Sequence, residues 1–342
     1  MKYLARMLAA LAAVLLNAAP ALALQAGWSQ ISVAGPTPGA PATTVALYYP
    51  TQASARAIPM GPFTPVVAME AAPEATVKGL IVLSHGTGGS ELGHSRLAEA
   101  LARSGYLVAA LRHPGDNWQD ASLLRDHPDR YFDERPRQVT RVIDAILLDP
   151  QWKNRIARDA RGPRVGAVGH SAGGYTVVAL AGGQADLQRL ARHCATERTE
   201  DPIFCRTGRS PPPVLPVAPA AQPASTLQDG RVRAVVALAP VGVVFTAPSL
   251  ARIHIPVAIY EAEKDRWLVP RFHAEWIAQN LPGVELHRVP NAWHFAFMDR
   301  PSMPIPTEDG DLGADPEGFD RKAFLDRLSR ELPAFFDRAF VE

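Results

Sequence analysis

Three residue types set far apart in this chain would together make a reactive oxygen: a serine at 171, a histidine at 294 and an acid at 265 or 263. A serine hydroxyl is a weak nucleophile near neutral pH. It needs a base to take its proton, and the base needs a carboxylate to orient it. Ser171 stands in Gly169-His170-Ser171-Ala172-Gly173, a Gly-x-Ser-x-Gly spacing. The apolar run 165–168 precedes it and the small-residue run 174–180 follows. That setting predicts a buried strand turning sharply into a helix, with the hydroxyl lifted above a sheet. The flanking glycines fit, because so tight a turn leaves no room for side chains beside a strained serine.

The base and the acid are expected further along, in the order serine, acid, histidine. His294 follows the last predicted strand in Pro290-Asn291-Ala292-Trp293-His294-Phe295, with aromatic neighbours to exclude water. Asp265 lies where the loop after strand 255–260 bends toward the site, before Pro270. Glu263 is its competitor, and Asp299 follows the histidine too closely to orient it from behind. His170 should turn away from Ser171, while His85 and His113 end central strands and brace loops. His193 and His273 are among the remaining histidines, which fall in no motif and read as structural.

A tetrahedral oxyanion needs two fixed N–H donors. One is the backbone of Ala172. The other is assigned to Thr87, in the glycine-rich turn Ser84-His85-Gly86-Thr87-Gly88-Gly89, which lacks the lysine and spacing of a phosphate loop. Trp267 and Trp293 are candidates for the wall of a substrate pocket. The set would transfer an acyl group to water, with a carboxylic ester as substrate. An amide or peptide substrate, transfer to an acceptor alcohol, or a scaffold that only binds are the alternatives.

The elements that must position these residues read as an α/β fold. Apolar runs at 29–33, 43–49, 79–84, 106–111, 164–168, 232–238, 255–260 and 284–289 predict a mostly parallel sheet of about eight strands. The first two form an antiparallel pair. Apolar faces at Leu97, Ala98 and Leu101, at Val139, Val142, Ile143 and Ile146, and at Phe324, Leu328, Phe335 and Phe336 predict helices covering both sides. Residues 60–73 read as a Pro- and Ala-rich loop across one sheet edge. Residues 184–230 read as a proline-rich, cysteine-containing insertion after the serine's helix, lid-like or forming a pocket wall.

At 47% hydrophobic over 342 residues, the chain can bury one large core. Lys2, Arg6, the apolar stretch 7–16 and Ala21-Leu22-Ala23 read as a signal peptide over 1–23, leaving 24–342 as a single domain. The apolar stretch is short for a permanent anchor. The expected location is secreted or periplasmic. The formal charge is +1, and cleavage removes two cations and no acid, leaving −1. That balance gives no electrostatic case for nucleic acid. Cys194 and Cys205, in a chain bound for an oxidising compartment, are expected to form a disulfide worth about 3 kcal/mol. No cofactor and no metal are expected, since no His/Cys cluster has ligand spacing and the acidic run 308–311 departs from a calcium loop. The expected partner is a small-molecule or lipid-like ester; the sequence carries no sign of oligomeric state.

The runs Leu83-Ser84-His85-Gly86-Thr87-Gly88-Gly89-Ser90, His113-Pro114-Gly115-Asp116-Asn117 and Gly169-His170-Ser171-Ala172-Gly173-Gly174 together resemble bacterial predicted dienelactone hydrolases. These belong to the α/β-hydrolase superfamily and are related to platelet-activating-factor acetylhydrolases. The resemblance runs from about 43–49 to the final helix, outside 184–230, and implies Ser171 as nucleophile, His294 as base, and Thr87 and Ala172 as oxyanion donors. Dienelactone hydrolases carry cysteine where this chain has Ser171. The acetylhydrolases place their acid after the strand that follows the elbow. Here that strand ends Ala237-Leu238-Ala239-Pro240, which moves the acid to Asp265 on the next strand.

Overall fold

The structure is a computed structural model that describes residues 23–206 and 227–341. Nearly all of the expected signal peptide, and the prolines of 210–213, lie outside the described residues. The chain opens with β1 (Gln25–Val33) and β2 (Thr43–Thr51), paired antiparallel from Gln25↔Thr51 to Val33↔Thr43. Two short strands follow, β3 (Arg56–Ala57) and β4 (Val66–Met69). Then come β5 (Leu80–Ser84), α1 (Ser95–Arg103), β6 (Leu107–Arg112), α2 (Ser122–Asp126) and α3 (Tyr131–Leu148). A small hairpin of β7 (Arg158–Asp159) and β8 (Gly162–Pro163) leads into β9 (Val165–His170) and α4 (Ala172–Leu180). Beyond these lie α5 (Leu187–Thr196), α6 (Pro202–Arg206), β10 (Val232–Leu238), α7 (Ala247–Leu250), β11 (Val257–Ala262), α8 (Ala274–Asn280) and β12 (Glu285–Val289). A hairpin of β13 (Pro306–Thr307) and β14 (Gly310–Asp311) and the long α9 (Arg321–Ala339) end the fold.

The sheet runs β12-β11-β10-β9-β5-β6-β2-β1-β4-β3. From β12 to β6 every neighbouring pair is parallel. The eight long strands are the expected ones. The correction concerns 60–73, read as a loop: Val66–Met69 instead pairs in parallel with β1, Gly27 opposite Ala68. Prolines on both sides of that four-residue run hid a strand whose other edge needs only a two-residue partner.

Both faces of the sheet are covered, which is why its central strands β5, β6, β9, β10 and β11 are buried and mostly apolar. On one face Val139 and Val142 of α3, Tyr175 and Val178 of α4, and Ile277 of α8 join one buried cluster. On the other, Leu97 and Leu101 of α1 meet Leu328 and Phe336 of α9. The parallel strands end together at one edge, where β5 leaves at Ser84, β9 at His170 and β11 at Ala262. In an open α/β sheet that edge is where ligands bind. Among the described residues, no helix is long and apolar enough to cross a membrane.

Candidate active site

Ser171 occupies the turn between β9 and α4 at φ 58° and ψ −117°. A non-glycine residue there costs about 1–3 kcal/mol and persists only where its surroundings over-determine it. They do. The Ser171 N–H donates to Leu238 O at 2.9 Å, and Val241 N–H donates to Ser171 O at 3.1 Å, which ties the turn to the end of β10. A Cβ at Gly173 would lie 1.9 Å from Ser84 O, and one at Gly169 would lie 2.0 Å from Gly173 O. The glycines are thus demanded by the close approach of α4 to β5 and to the end of its own strand.

His294 opens the short turn after β12 and is 2% exposed. Its Nδ1–H donates to Asp265 Oδ2 at 2.7 Å, since a carboxylate can only accept. Asp265 is itself fixed: its Oδ1 accepts the N–H groups of Trp267 at 2.9 Å and Leu268 at 2.8 Å. Among the described residues Nε2 has no hydrogen-bond partner, and the ring lines the same cavity as Ser171. Glu263 is occupied elsewhere, accepting Asn291 N–H at 2.8 Å. His170 points away from the serine, donating through Nε2 to His294 O at 2.9 Å. Burial, then the neighbouring His294 and His94, hold its pKa well below the ordinary histidine value, so it acts as a neutral prop.

The turn after β5 lies directly over the serine: a Cβ on Gly86 would sit 3.0 Å from Ser171 Cβ. Among the described residues, no acceptor is bonded to the Thr87 N–H. Ala172 is the first residue of α4, where a helix N–H has no partner within the helix. Thr87 Oγ1 bonds the hydroxyl of Tyr131 at 2.7 Å, and that hydroxyl donates to Asp116 Oδ2 at 2.7 Å. Asp116 Oδ1 accepts Gly88 N–H at 3.0 Å. Arg135, with no exposure, pairs with Asp116, donates to His85 O and reaches Ser84 Oγ at 3.3 Å. Burial alone would raise the Asp116 pKa, but Arg135 and Tyr131 hold it below the usual carboxylate range.

His85 and His113 brace the same turn. His113 N–H donates to His85 Nε2 at 3.1 Å, which places the His85 proton on Nδ1, bonded to Gly86 O at 2.6 Å. Burial, aided by Arg135, lowers the His85 pKa to about 4. The sequence offered Asp116 within a motif, yet gave no sign that Arg135 and Tyr131 would reach it. Only the packing of α3 beside β5 brings them together.

Ser171, His294 and the Gly86–Gly89 turn border a cavity of about 360 Å3. Trp267 lines it and stacks on His294, with ring centres 6.0 Å apart and planes at 21°. Trp293 does not line it, contrary to the expectation. It is 6% exposed, belongs to the apolar cluster on the α1–α9 face, and meets Phe295 of the cavity wall edge-on at 5.2 Å. Two neighbours on a tight turn point opposite ways, and His294 takes the open side. Phe204, from α6, is a wall residue that the sequence did not indicate.

Phe204 belongs to the proline-rich insertion expected as a lid or a pocket wall, and the first part of that insertion supplies a piece of the wall from a helix. Residues 187–206 fold as α5 and α6, capped by Asp186 and joined by the Cys194–Cys205 disulfide. The buried Asp201 Oδ2 accepts from His193 Nε2 at 2.8 Å and His273 Nε2 at 2.9 Å. Gly242 N–H donates to His273 Nδ1 at 3.2 Å, so the His273 proton sits on Nε2, facing the carboxylate. These bonds clasp α5 and the start of α6 to the start of α8. The acidic run 308–311 forms part of the β13–β14 hairpin, with Asp309 paired to Arg266 at 2.9 Å.

Comparison with known proteins bears on the fold and the family. No functionally curated protein matches the sequence. Among solved structures, a ferulic acid esterase from Streptomyces cinnamoneus superposes with a TM-score of 0.61 at 23% identity, over 94% of this chain and 91% of that one. A dienelactone hydrolase from Anabaena variabilis superposes with a TM-score of 0.51 at 16% identity, over 92% of this chain and 99% of that one. At these identities the likeness is one of fold. Residues 81–303, which run from β5 past His294, match the sequence model of the alpha/beta hydrolase family, and the chain belongs to that family.

Proposed function

We propose that the chain is an exported serine hydrolase that cleaves carboxylic esters, with residues 24–342 as one catalytic domain after removal of the leader. The observation that carries this reading is the 2.7 Å bond from His294 Nδ1 to Asp265, made at the wall of the cavity that Ser171 also borders. That bond sets the imidazole tautomer, with its basic nitrogen on Nε2. Ser171 Oγ attacks the ester carbonyl carbon as Nε2 takes its proton. The carbonyl oxygen, now an anion, accepts from the N–H groups of Thr87 and Ala172. Collapse breaks the bond to the alcohol, which leaves with the proton from Nε2. Water then repeats both steps, and the acid and free serine result. Asp265 stabilises the charged imidazole throughout.

A ferulic acid esterase and a dienelactone hydrolase as structural relatives both fit cleavage of an ester bond. The disulfide fits an oxidising compartment. A fluorophosphonate should label the protein and fail to label Ser171→Ala. 4-Nitrophenyl acetate should be turned over while the matching 4-nitroanilide is not. Labelling that survives Ser171→Ala would reject the nucleophile, and faster anilide turnover would favour an amidase. The secreted protein should begin at Leu24.

A further inference from the structure

We infer that the cavity at Ser171 continues into a groove for a long alkyl acyl chain, so that the preferred substrates are esters of medium- and long-chain fatty acids. The inference rests on the hydrolase reading and assigns its substrate class. A second hollow, of about 780 Å3, lies beside the first. Its walls include Trp28, Ile58, Met60, Phe63, Met69 and Trp118, from β1, the segment carrying β3 and β4, and the loop after β6. The two hollows share Gly88, Gly89, Met298, Ile305 and Leu312, so they adjoin at the end of the glycine turn, beside the apolar cluster of Phe63, Met298 and Leu312. Gly88 sits at φ 68°, and a Cβ there would meet nothing within 4 Å, so the turn leaves open space at the junction, where the side chains are those of Met298, Ile305 and Leu312.

The chemistry of the walls selects the occupant. Thioethers at Met60, Met69 and Met298 adapt to a methylene chain. The charged pair in the walls, Glu91 with Arg112, neutralises itself. Met69 is 40% and Trp118 is 64% exposed, large apolar surfaces that a soluble chain rarely leaves bare beside a cavity without use. Trp118 is anchored to the turn, its N–H donating to Gly89 O at 3.1 Å. Position distinguishes acyl from alcohol. His294, Trp267 and Leu268 line the first cavity but not the groove. The leaving oxygen must meet His294, which the groove does not reach, while the groove borders the glycine turn at Gly88 and Gly89, so the acyl chain takes it.

The test is a series of 4-nitrophenyl esters from acetate to decanoate, set against ethyl and octyl acetate. Each buried methylene raises kcat/KM by up to about fourfold. The wild type should gain at least about tenfold from acetate to decanoate, and less than that from ethyl to octyl acetate. Met69→Asp and Trp118→Ala, both at exposed positions that the fold tolerates, should each cut the decanoate-to-acetate ratio by about tenfold. A flat acyl series, an equal gain on the alcohol side, or a ratio that neither variant moves would overturn the groove. If no ester is turned over and no fluorophosphonate label appears, the hydrolase reading fails instead. Calorimetry of decanoic acid with Ser171→Ala protein then decides: binding weakened about tenfold by Met69→Asp upholds the groove, and no binding, or binding unmoved by that change, overturns it.

Discussion

A serine at φ 58° holds its place because two backbone hydrogen bonds and two close glycine approaches leave it nowhere else to go. The same over-determination extends to its partners. Asp265 spends one carboxylate oxygen on two backbone N–H groups and keeps the other for His294. Asp265→Asn should retain the fold, since an amide oxygen still accepts from Trp267 and Leu268. It would present an amide N–H to Nδ1 and favour the wrong tautomer. A fall in kcat on 4-nitrophenyl acetate of about 10³–10⁴-fold is expected, and a fall of less than tenfold would show that another acid serves His294. Arg135 makes a different prediction, because it touches the turn and not the cavity. Arg135→Met strands the buried Asp116 without its counter-charge, at a cost of about 3–5 kcal/mol in urea unfolding. Tyr131→Phe removes one hydroxyl that both accepts from Thr87 and donates to Asp116. It should lose about 1–3 kcal/mol.

At the scale of elements, what was legible follows from what each element buries. The central strands are apolar on both faces and bounded by turn residues, so their type and their places along the chain could be read directly. Ser171, Asp265 and His294 could be read because each stands just beyond a strand end. β3 and β4 were lost among prolines, and Trp293 was misplaced because a turn's side-chain directions depend on dihedrals that spacing does not carry. α5 did leave a signal, Asp186 before Leu187, Leu190, Ala191 and Cys194, that the prolines further on outweighed. Its consequence is energetic. The cysteines lie 11 positions apart, and the chain-entropy model assigns so short a closure about 3 kcal/mol. Replacing both with alanine should remove about that much by urea unfolding. Because Phe204 lines the cavity beside Cys205, the same variant should alter KM for aryl esters more than kcat. If KM is unchanged, the Asp201 clasp alone positions α6.

The whole molecule should respond to pH through carboxylates shifted in opposite directions. Asp201 is carried down to about 2, since its hydrogen bonds from His193 and His273 outweigh the burial that would raise it. Its folded pKa is below its unfolded one, so its stabilisation is full above pH 4 and is lost as pH falls from about 4 toward 2. Asp299 does the reverse. Burial, reinforced by Glu99, pushes it up to about 7, and its Oδ1 is shut off from solvent with no hydrogen-bond partner. Asp299 joins the loop after His294 to α1, with its N–H on Gly93 O and its Oδ2 accepting Arg96 N–H at 2.9 Å. The folded chain therefore binds a proton there that the unfolded chain releases near pH 4. Stability should fall as pH rises from about 4 to 7 and level off above that. An asparagine in place of Asp299 would imitate the protonated acid, keeping an oxygen for Arg96 and carrying no charge at any pH. Asp299→Asn should match the wild type in thermal midpoint at pH 4 and exceed it by several degrees at pH 8. Its midpoint should also change less than the wild type's between those limits. Coincident profiles for the two proteins from pH 4 to 8 would mean that the Asp299 carboxylate ionises at its ordinary pH, with water reaching the junction of α1 and the His294 loop.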